Sequence, residues 1–287
     1  PRSSPGAVAR FGDCPRGPPP ARELKMRGLR WLNILGLDAA LVAISWQAVF
    51  ADALGAPPDA ASVGVLAASV WLTYQADRLF DAAKRPPEQL PTERHRFAKR
   101  HFRTLWTVWT VVLAVTCAAA FLYLPQAALL RGGALLGVCL LYTAANQANP
   151  WRFFPKEVLV GGIFAAGAGV LLEIPLPSGA VLALGMVCVL NCLLISSRER
   201  AADAAMGVPS LGAALPSAAW TPLFGAAAAV LFAAPSALAP PLGISLALLF
   251  ALHRCGRSLP AERFRLMADW SLLVGPAFFA ASRAWLN

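Results

Sequence analysis

The chain has 287 residues, of which 57% are apolar and only 14% charged, and its formal net charge is +10. Soluble domains carry about a quarter charged residues, whereas Ala39–Ala51, Leu105–Leu124 and Phe224–Ala234 carry none, so an ordinary soluble fold is excluded. The basic residues lie in the connections between apolar runs and form no compact basic domain, so no nucleic-acid partner is expected and membrane lipids are.

Residues 1–25 are rich in Pro, Gly and Arg without periodicity and read as a disordered tail. An apolar run of roughly 18 residues can cross a bilayer core about 30 Å thick. The apolar runs beyond the tail predict nine transmembrane helices over 31–54, 61–81, 104–124, 127–145, 156–174, 178–197, 213–234, 236–253 and 267–286. One all-α membrane domain over 26–287 is therefore expected, with polar connections at 82–103 and 198–212. Prolines punctuate most gaps; Pro216, Pro222, Pro240 and Pro241 interrupt the seventh and eighth spans. The six cysteines fall mostly in or beside spans and form neither metal-ligand pairs nor a secreted framework.

Charge placement supports an odd number of spans. Twenty-three of the 25 Lys and Arg fall in the tail or in alternate connections, and only Arg131 and Arg283 fall on the other side. The positive-inside rule then predicts a cytoplasmic N-terminus and an outer C-terminus. The Ala-, Arg- and Pro-rich composition suggests a bacterial inner membrane.

Carboxylates near a bilayer are costly and usually functional. Asp77 and Asp81 end the second span one helical turn apart, with Tyr74 a turn earlier on the same face. Glu199 and Asp203 repeat the spacing at the end of the sixth, which suggests two related four-helix halves plus a final helix. Like charges on one turn repel, and a hard cation such as Mg2+, which takes one or two carboxylates with substrate phosphates, would offset that. Neighbouring Arg side chains such as Arg78 and Arg198 would do so too. The basic connection from Lys84 to His101 suits an anionic group or anionic lipid headgroups. Asn33, Asp38, Tyr142, Asn146, Asn191 and Asp269 are polar residues in the cytoplasmic halves of their spans and are expected to line one cavity.

These features resemble the UbiA superfamily of intramembrane prenyltransferases. Asp77 and Asp81 match the last two acids of its first motif, Glu199 and Asp203 match its second, and Arg85-Pro86 and Gly207–Leu211 resemble the flanking elements. Tyr142 fits a family tyrosine. The first motif's leading Asn-Asp falls on Thr73 and Tyr74, and a family lysine falls on Asn146. The resemblance implies a UbiA-like bundle that binds a prenyl diphosphate through Mg2+ held by Asp77, Asp81, Glu199 and Asp203. It implies transfer of the prenyl group to a small lipophilic or aromatic acceptor. Arg94, Lys156 and Arg198 are the expected diphosphate contacts, with Arg78 a further one. Asp38 and Tyr142 are placed in the acceptor pocket, and Tyr74 and Asn146 are expected to bind substrate as well. The departures from both motifs leave open a non-catalytic scaffold or carrier for isoprenoid lipids. A secondary transporter would need a polar path to the outer side, and the outer halves of the spans are apolar.

Overall fold

The computed structural model describes residues 28, 30–148, 156–172, 174, 178–205, 207 and 209–286. The expected tail, Arg152 and Glu173 lie outside them. The described residues are helices, short 3-10 turns and connections.

The first span is expected as one helix over 31–54 but is broken. Residues 30–35 are helical, Gly36 takes φ 71°, and α1 then runs over Leu37–Ala53. Only glycine adopts that left-handed conformation cheaply. The break strands two carbonyls, and α2 (Ala60–Lys84) satisfies both. Trp71 Nε1 and Gln75 Nε2 donate to Leu35 O at 2.9 and 2.6 Å, and Arg78 Nη1 donates to Ile34 O at 2.7 Å. Positions 71, 75 and 78 share one face of α2; Tyr74, Asp77 and Asp81 share the neighbouring one. Asp59 caps the start of α2, accepting the Ser62 N–H at 2.7 Å.

The connection 82–103 is folded, and the amphipathic pattern of Thr92–His101 forms a helix there. This helix, α3 (Glu93–Arg100), buries His95 and Ala98, and Lys99 Nζ donates to Ala82 O at 2.7 Å. Two long apolar helices come next, α4 (Phe102–Tyr123) and α5 (Gln126–Ala148). α4 exposes Val, Leu and Phe side chains and α5 exposes Val and Leu, as lipid-facing helices do.

α6 (Lys156–Val170) and α7 (Gly179–Arg198) approach very closely. A Cβ on Gly161 would lie 2.7 Å from Val189 N, so only glycine fits there. α7 is the central helix: Leu184, Leu190 and Leu194 are fully enclosed beside Trp46 and Phe50 of α1. Two short helices lie beyond it, α8 (Arg200–Ala205) and α9 (Leu211–Ala214). They occupy the place in the second half that α3 occupies in the first.

The prolines shorten the seventh span as their chemistry dictates. Pro216 ends α9's turn, and α10 runs only over Trp220–Leu231 with Pro222 in its first turn, where no intrahelical N–H is needed. Pro240 and Pro241 likewise open α11 (Ala239–Cys255). The last helix, α12 (Ala261–Leu286), starts six residues before the expected span and carries Pro276 inside it. Pro276 cannot donate to the carbonyl of Leu272, and the indole N–H of Trp46 donates to it instead at 3.0 Å.

Four of these segments, 102–123, 126–145, 179–198 and 236–258, are long and apolar enough to cross a membrane on composition alone. The remaining long helices fall short because α1 and α6 are short, while α2 and α12 carry polar residues on their inner faces.

Candidate functional site

The ends of α2 and α7, from opposite halves of the chain, meet at one mouth of the bundle. Arg94 of α3 is the link between them, with Nη2 3.3 Å from Glu199 Oε2. Arg265, on the first turns of α12, places Nη1 2.9 Å from the same oxygen. Its Nε lies 3.8 Å from Asp269 Oδ2, one turn along. Lys156, opening α6, lies 3.5 Å from Asp203 Oδ1. Asp81 accepts from Arg85 Nη1 at 2.5 Å, and Asp77 is exposed at the rim of the mouth.

The Glu199/Asp203 spacing is kept, although the helix breaks between them. Glu199 closes α7, and its carbonyl accepts the N–H of Asp203 at 2.9 Å across the break. The carboxylates consequently diverge, Glu199 toward two arginines and Asp203 toward Lys156. Arg198, expected beside a diphosphate, turns away. Its Nη2 donates to the carbonyls of Gly256, Arg257 and Leu259 at 3.2, 2.6 and 3.0 Å, and its guanidinium lies over the Phe264 ring. Arg78 is only 3% exposed and committed to the broken first helix. The side chain of Asn146 lies outside the described residues.

Electrostatics at the mouth arise from this pairing. Burial alone would raise the pKa of Glu199, but the guanidinium groups of Arg265 and Arg94 outweigh it and hold the carboxyl at about 2. For Arg265, burial is in turn outweighed by Glu199, Asp269 and Asp38, so its charge is reinforced. Burial raises the pKa of Asp203, with Lys156 opposing it. His95 is held neutral, at about 3, first by burial and then by Arg94 and Arg78. Its Nδ1 bonds Thr92 Oγ1 at 2.6 Å, and its Nε2 lies 3.6 Å from Asp81 Oδ2.

Deeper in, a second polar layer continues from the mouth. Asn33 Nδ2 donates to Asp38 Oδ2 at 2.5 Å, and Asn191 Nδ2 donates to Asp269 Oδ1 at 3.1 Å. Tyr74 lies within electrostatic reach of Cys192, Asp269, Arg265 and Asp38, and Tyr142 within reach of Asp77, Cys192 and Glu157. Polar side chains of α1, α2, α5, α7 and α12 thus lie within electrostatic reach of one another. Arg265, and Glu157 beside the expected Lys156, join this polar layer. Arg265 reads in the sequence as one more topology-setting charge, although its four-residue spacing from Asp269 is a signal that they share a face. Glu157 is buried, accepting from Ser210 Oγ at 3.1 Å and from the Gly212 N–H at 3.4 Å.

Among the described residues, no three His, Cys, Asp or Glu side chains converge so as to hold a metal ion. Glu199 is taken by its arginines. Asp77 faces open space and Asp203 Oδ2 is buried without a partner, so these two retain oxygens that a cation with other ligands could use.

No family model matches the sequence, and no curated protein matches it. Among solved structures, the apo structure of a UbiA homolog from Aeropyrum pernix K1 is similar, with a TM-score of 0.61 at 18% identity. The match covers 84% of this chain and 98% of that one. The chain thus has the UbiA fold, as its acidic turns led one to expect, and is a multi-pass membrane protein.

Proposed function

We propose that this chain transfers a prenyl group from a prenyl diphosphate to a small lipophilic acceptor, such as an aromatic ring, within the membrane. The observation that carries this reading is the meeting of Asp77, Asp81, Glu199 and Asp203 with Arg94, Lys156 and Arg265 at one mouth of an apolar bundle. A prenyl diphosphate has a charged head on a hydrocarbon tail, and this arrangement offers charge above and apolar helices below. An apolar groove of about 260 Å³ between α5 and α6, lined by Leu135, Val158, Leu159, Gly162, Ile163 and Ala166, supports tail binding.

Mg2+, when bound, neutralises charge on the leaving diphosphate. Asp77 and Asp203 are the acids suited to hold it, since Mg2+ completes its shell with water and phosphate oxygens, while Asp81 is taken by Arg85. Glu199 instead positions Arg94 and Arg265. Lys156 and Arg94 stabilise the diphosphate as the C–O bond breaks and its electron pair leaves with the oxygen. The surrounding apolar helices keep water from the allylic cation. An acceptor carbon then donates its electron pair to form the new bond and sheds its proton. The mouth is assigned to the cytoplasmic face of a bacterial inner membrane, because the basic connections gather there.

The second reading, a non-catalytic carrier or scaffold for isoprenoid lipids, is favoured by the pairing of Glu199 with two arginines and by Tyr74 standing where the family has an acid. Diphosphate release from geranylgeranyl diphosphate, assayed on purified protein with a panel of aromatic acceptors, separates the two. Transfer predicts acceptor-dependent release that falls at least 100-fold in Asp77→Asn and Asp203→Asn; a carrier binds and releases nothing.

A further inference from the structure

The lysine and arginine side chains between residues 94 and 103 are mostly committed within the fold. Arg94 pairs with Glu199, Arg96 Nη1 donates to the carbonyls of Leu90 and Pro91 at 3.2 and 3.0 Å, and Lys99 donates to Ala82 O. Glu93, the neighbouring acid, is held by Arg30. Arg100 and Arg103 are the exceptions. Both are exposed, and neither makes a hydrogen bond or ion pair among the described residues. They stand at the corner where α3 ends and α4 begins, with only His101 and Phe102 between them.

Aromatic rings collar this corner. Trp106 packs edge-on against Phe80, Phe102 and Trp109, with centroids 6.0, 6.3 and 5.3 Å apart, and all four rings are partly buried. Tryptophans gather at the level of lipid headgroups. Trp109 spends its indole N–H on Leu72 O at 2.9 Å. The indole of Trp106, one turn from Arg103 on the same face, makes no hydrogen bond among the described residues.

Along α4 the surface then turns apolar in one line. Residues 103, 107, 111 and 115 recur about one turn apart, and Arg103, Thr107, Val111 and Val115 are all exposed. The helix carries no Asp or Glu. Charge, hydroxyl and hydrocarbon therefore follow one another over about 18 Å, the order in which a phospholipid presents phosphate, glycerol and acyl chain. Free phosphate would use only the top of this line, and a zwitterionic lipid would bring an ammonium beside two unneutralised guanidinium groups.

We propose that Arg100, Arg103 and Trp106 form a headgroup site for an anionic phospholipid of the phosphatidylglycerol type, whose acyl chain lies along Thr107, Val111 and Val115. The guanidinium forks take the phosphodiester oxygens, and the Trp106 indole supplies a further donor.

The test is lipid binding to the detergent-purified full chain, read by native mass spectrometry and by the thermal unfolding midpoint. The probes are phosphatidylglycerol and phosphatidylcholine with identical acyl chains, and inorganic phosphate. Two arginines near an anionic headgroup predict that phosphatidylglycerol binds at least about 10-fold more tightly than phosphatidylcholine, and that it alone raises the midpoint. The double variant Arg100→Gln/Arg103→Gln should shrink that gap to under threefold, with near-UV circular dichroism confirming that it is folded. Arg254→Gln/Arg257→Gln, which removes the same charge from exposed positions around the end of α11, should keep the gap. Equal binding of the two lipids, or a gap that survives in folded Arg100→Gln/Arg103→Gln protein, would overturn the assignment. So would an equal loss in the Arg254→Gln/Arg257→Gln protein, or a midpoint rise produced by inorganic phosphate alone.

Discussion

Arg94 and Glu199, 105 residues apart, join the two halves of the bundle through one ion pair, with Nη2 3.3 Å from Oε2. Arg265 shares the same oxygen at 2.9 Å. One carboxylate therefore neutralises two largely buried guanidinium groups, one from each side of the mouth. Removing one partner of a buried pair usually costs more than the pair contributes, because a charge is left uncompensated.

Glu199→Gln should accordingly destabilise the protein by roughly 3–5 kcal/mol, while Asp77→Asn, at an exposed rim position, should change stability by under about 1 kcal/mol. Thermal unfolding of the two variants in detergent checks this. Equal midpoints would remove Glu199 from its positioning role.

Acid should weaken the fold in two stages. His95 ordinarily titrates near 6.5 but is held at about 3, so below pH 6.5 the unfolded chain takes up a proton that the folded chain refuses. Stability from this source is full above 6.5 and is lost as pH falls toward 3. Glu199, ordinarily near 4.5 and held at about 2, adds a second loss below 4.5. Asp203, shifted upward by burial, works in the opposite sense near its ordinary value of 3.8. Unfolding midpoints measured between pH 7 and pH 4 should therefore decline, and His95→Gln should flatten the decline between 6.5 and 4.5. An unchanged slope in that variant would contradict the burial of a neutral imidazole.

The pairing of Trp46 with Leu272 O, made necessary by Pro276, predicts a coupling between distant positions. Trp46→Phe leaves a buried carbonyl without a donor, at a cost of about 1–3 kcal/mol. Pro276→Ala restores a backbone N–H able to reach that carbonyl. The double variant should consequently lose less stability than Trp46→Phe alone, and a double-mutant cycle reads the difference. Strict additivity would show that the indole bond contributes nothing there.

Gly36→Ala should cost about 1–2 kcal/mol from its left-handed φ alone. The new Cβ would also lie 3.2 Å from Arg78 Nη1, disturbing the guanidinium that closes the break. A midpoint unchanged from the parent protein would argue against a broken first helix.

Much of this organisation was legible in the residues, and the losses have specific causes. Apolar length and alternating charge locate every long helix, and the one-turn spacing of Asp77 and Asp81 marks the mouth. The break at Gly36 was invisible, because a lone glycine inside an apolar run looks like packing until its partners Trp71, Gln75 and Arg78 are known. Arg198 and Arg265 were hard to tell apart, both being basic residues near helix ends. Tertiary contact alone sends the first to backbone carbonyls near 256–259 and the second to Glu199 and Asp269. Lys156 and Asp203 were each expected at the mouth, but their pairing needed the fold, since α6 and α8 are separated in sequence by the whole of α7.

The central claim is that the two acidic turns form one diphosphate site, and the most direct test is binding of geranylgeranyl thiodiphosphate to the detergent-purified chain with and without Mg2+. The account predicts saturable binding that strengthens at least about 10-fold with Mg2+ and loses that gain in Asp77→Asn and Asp203→Asn. Binding that is absent in folded protein, or indifferent to both the metal and these two acids, would contradict it.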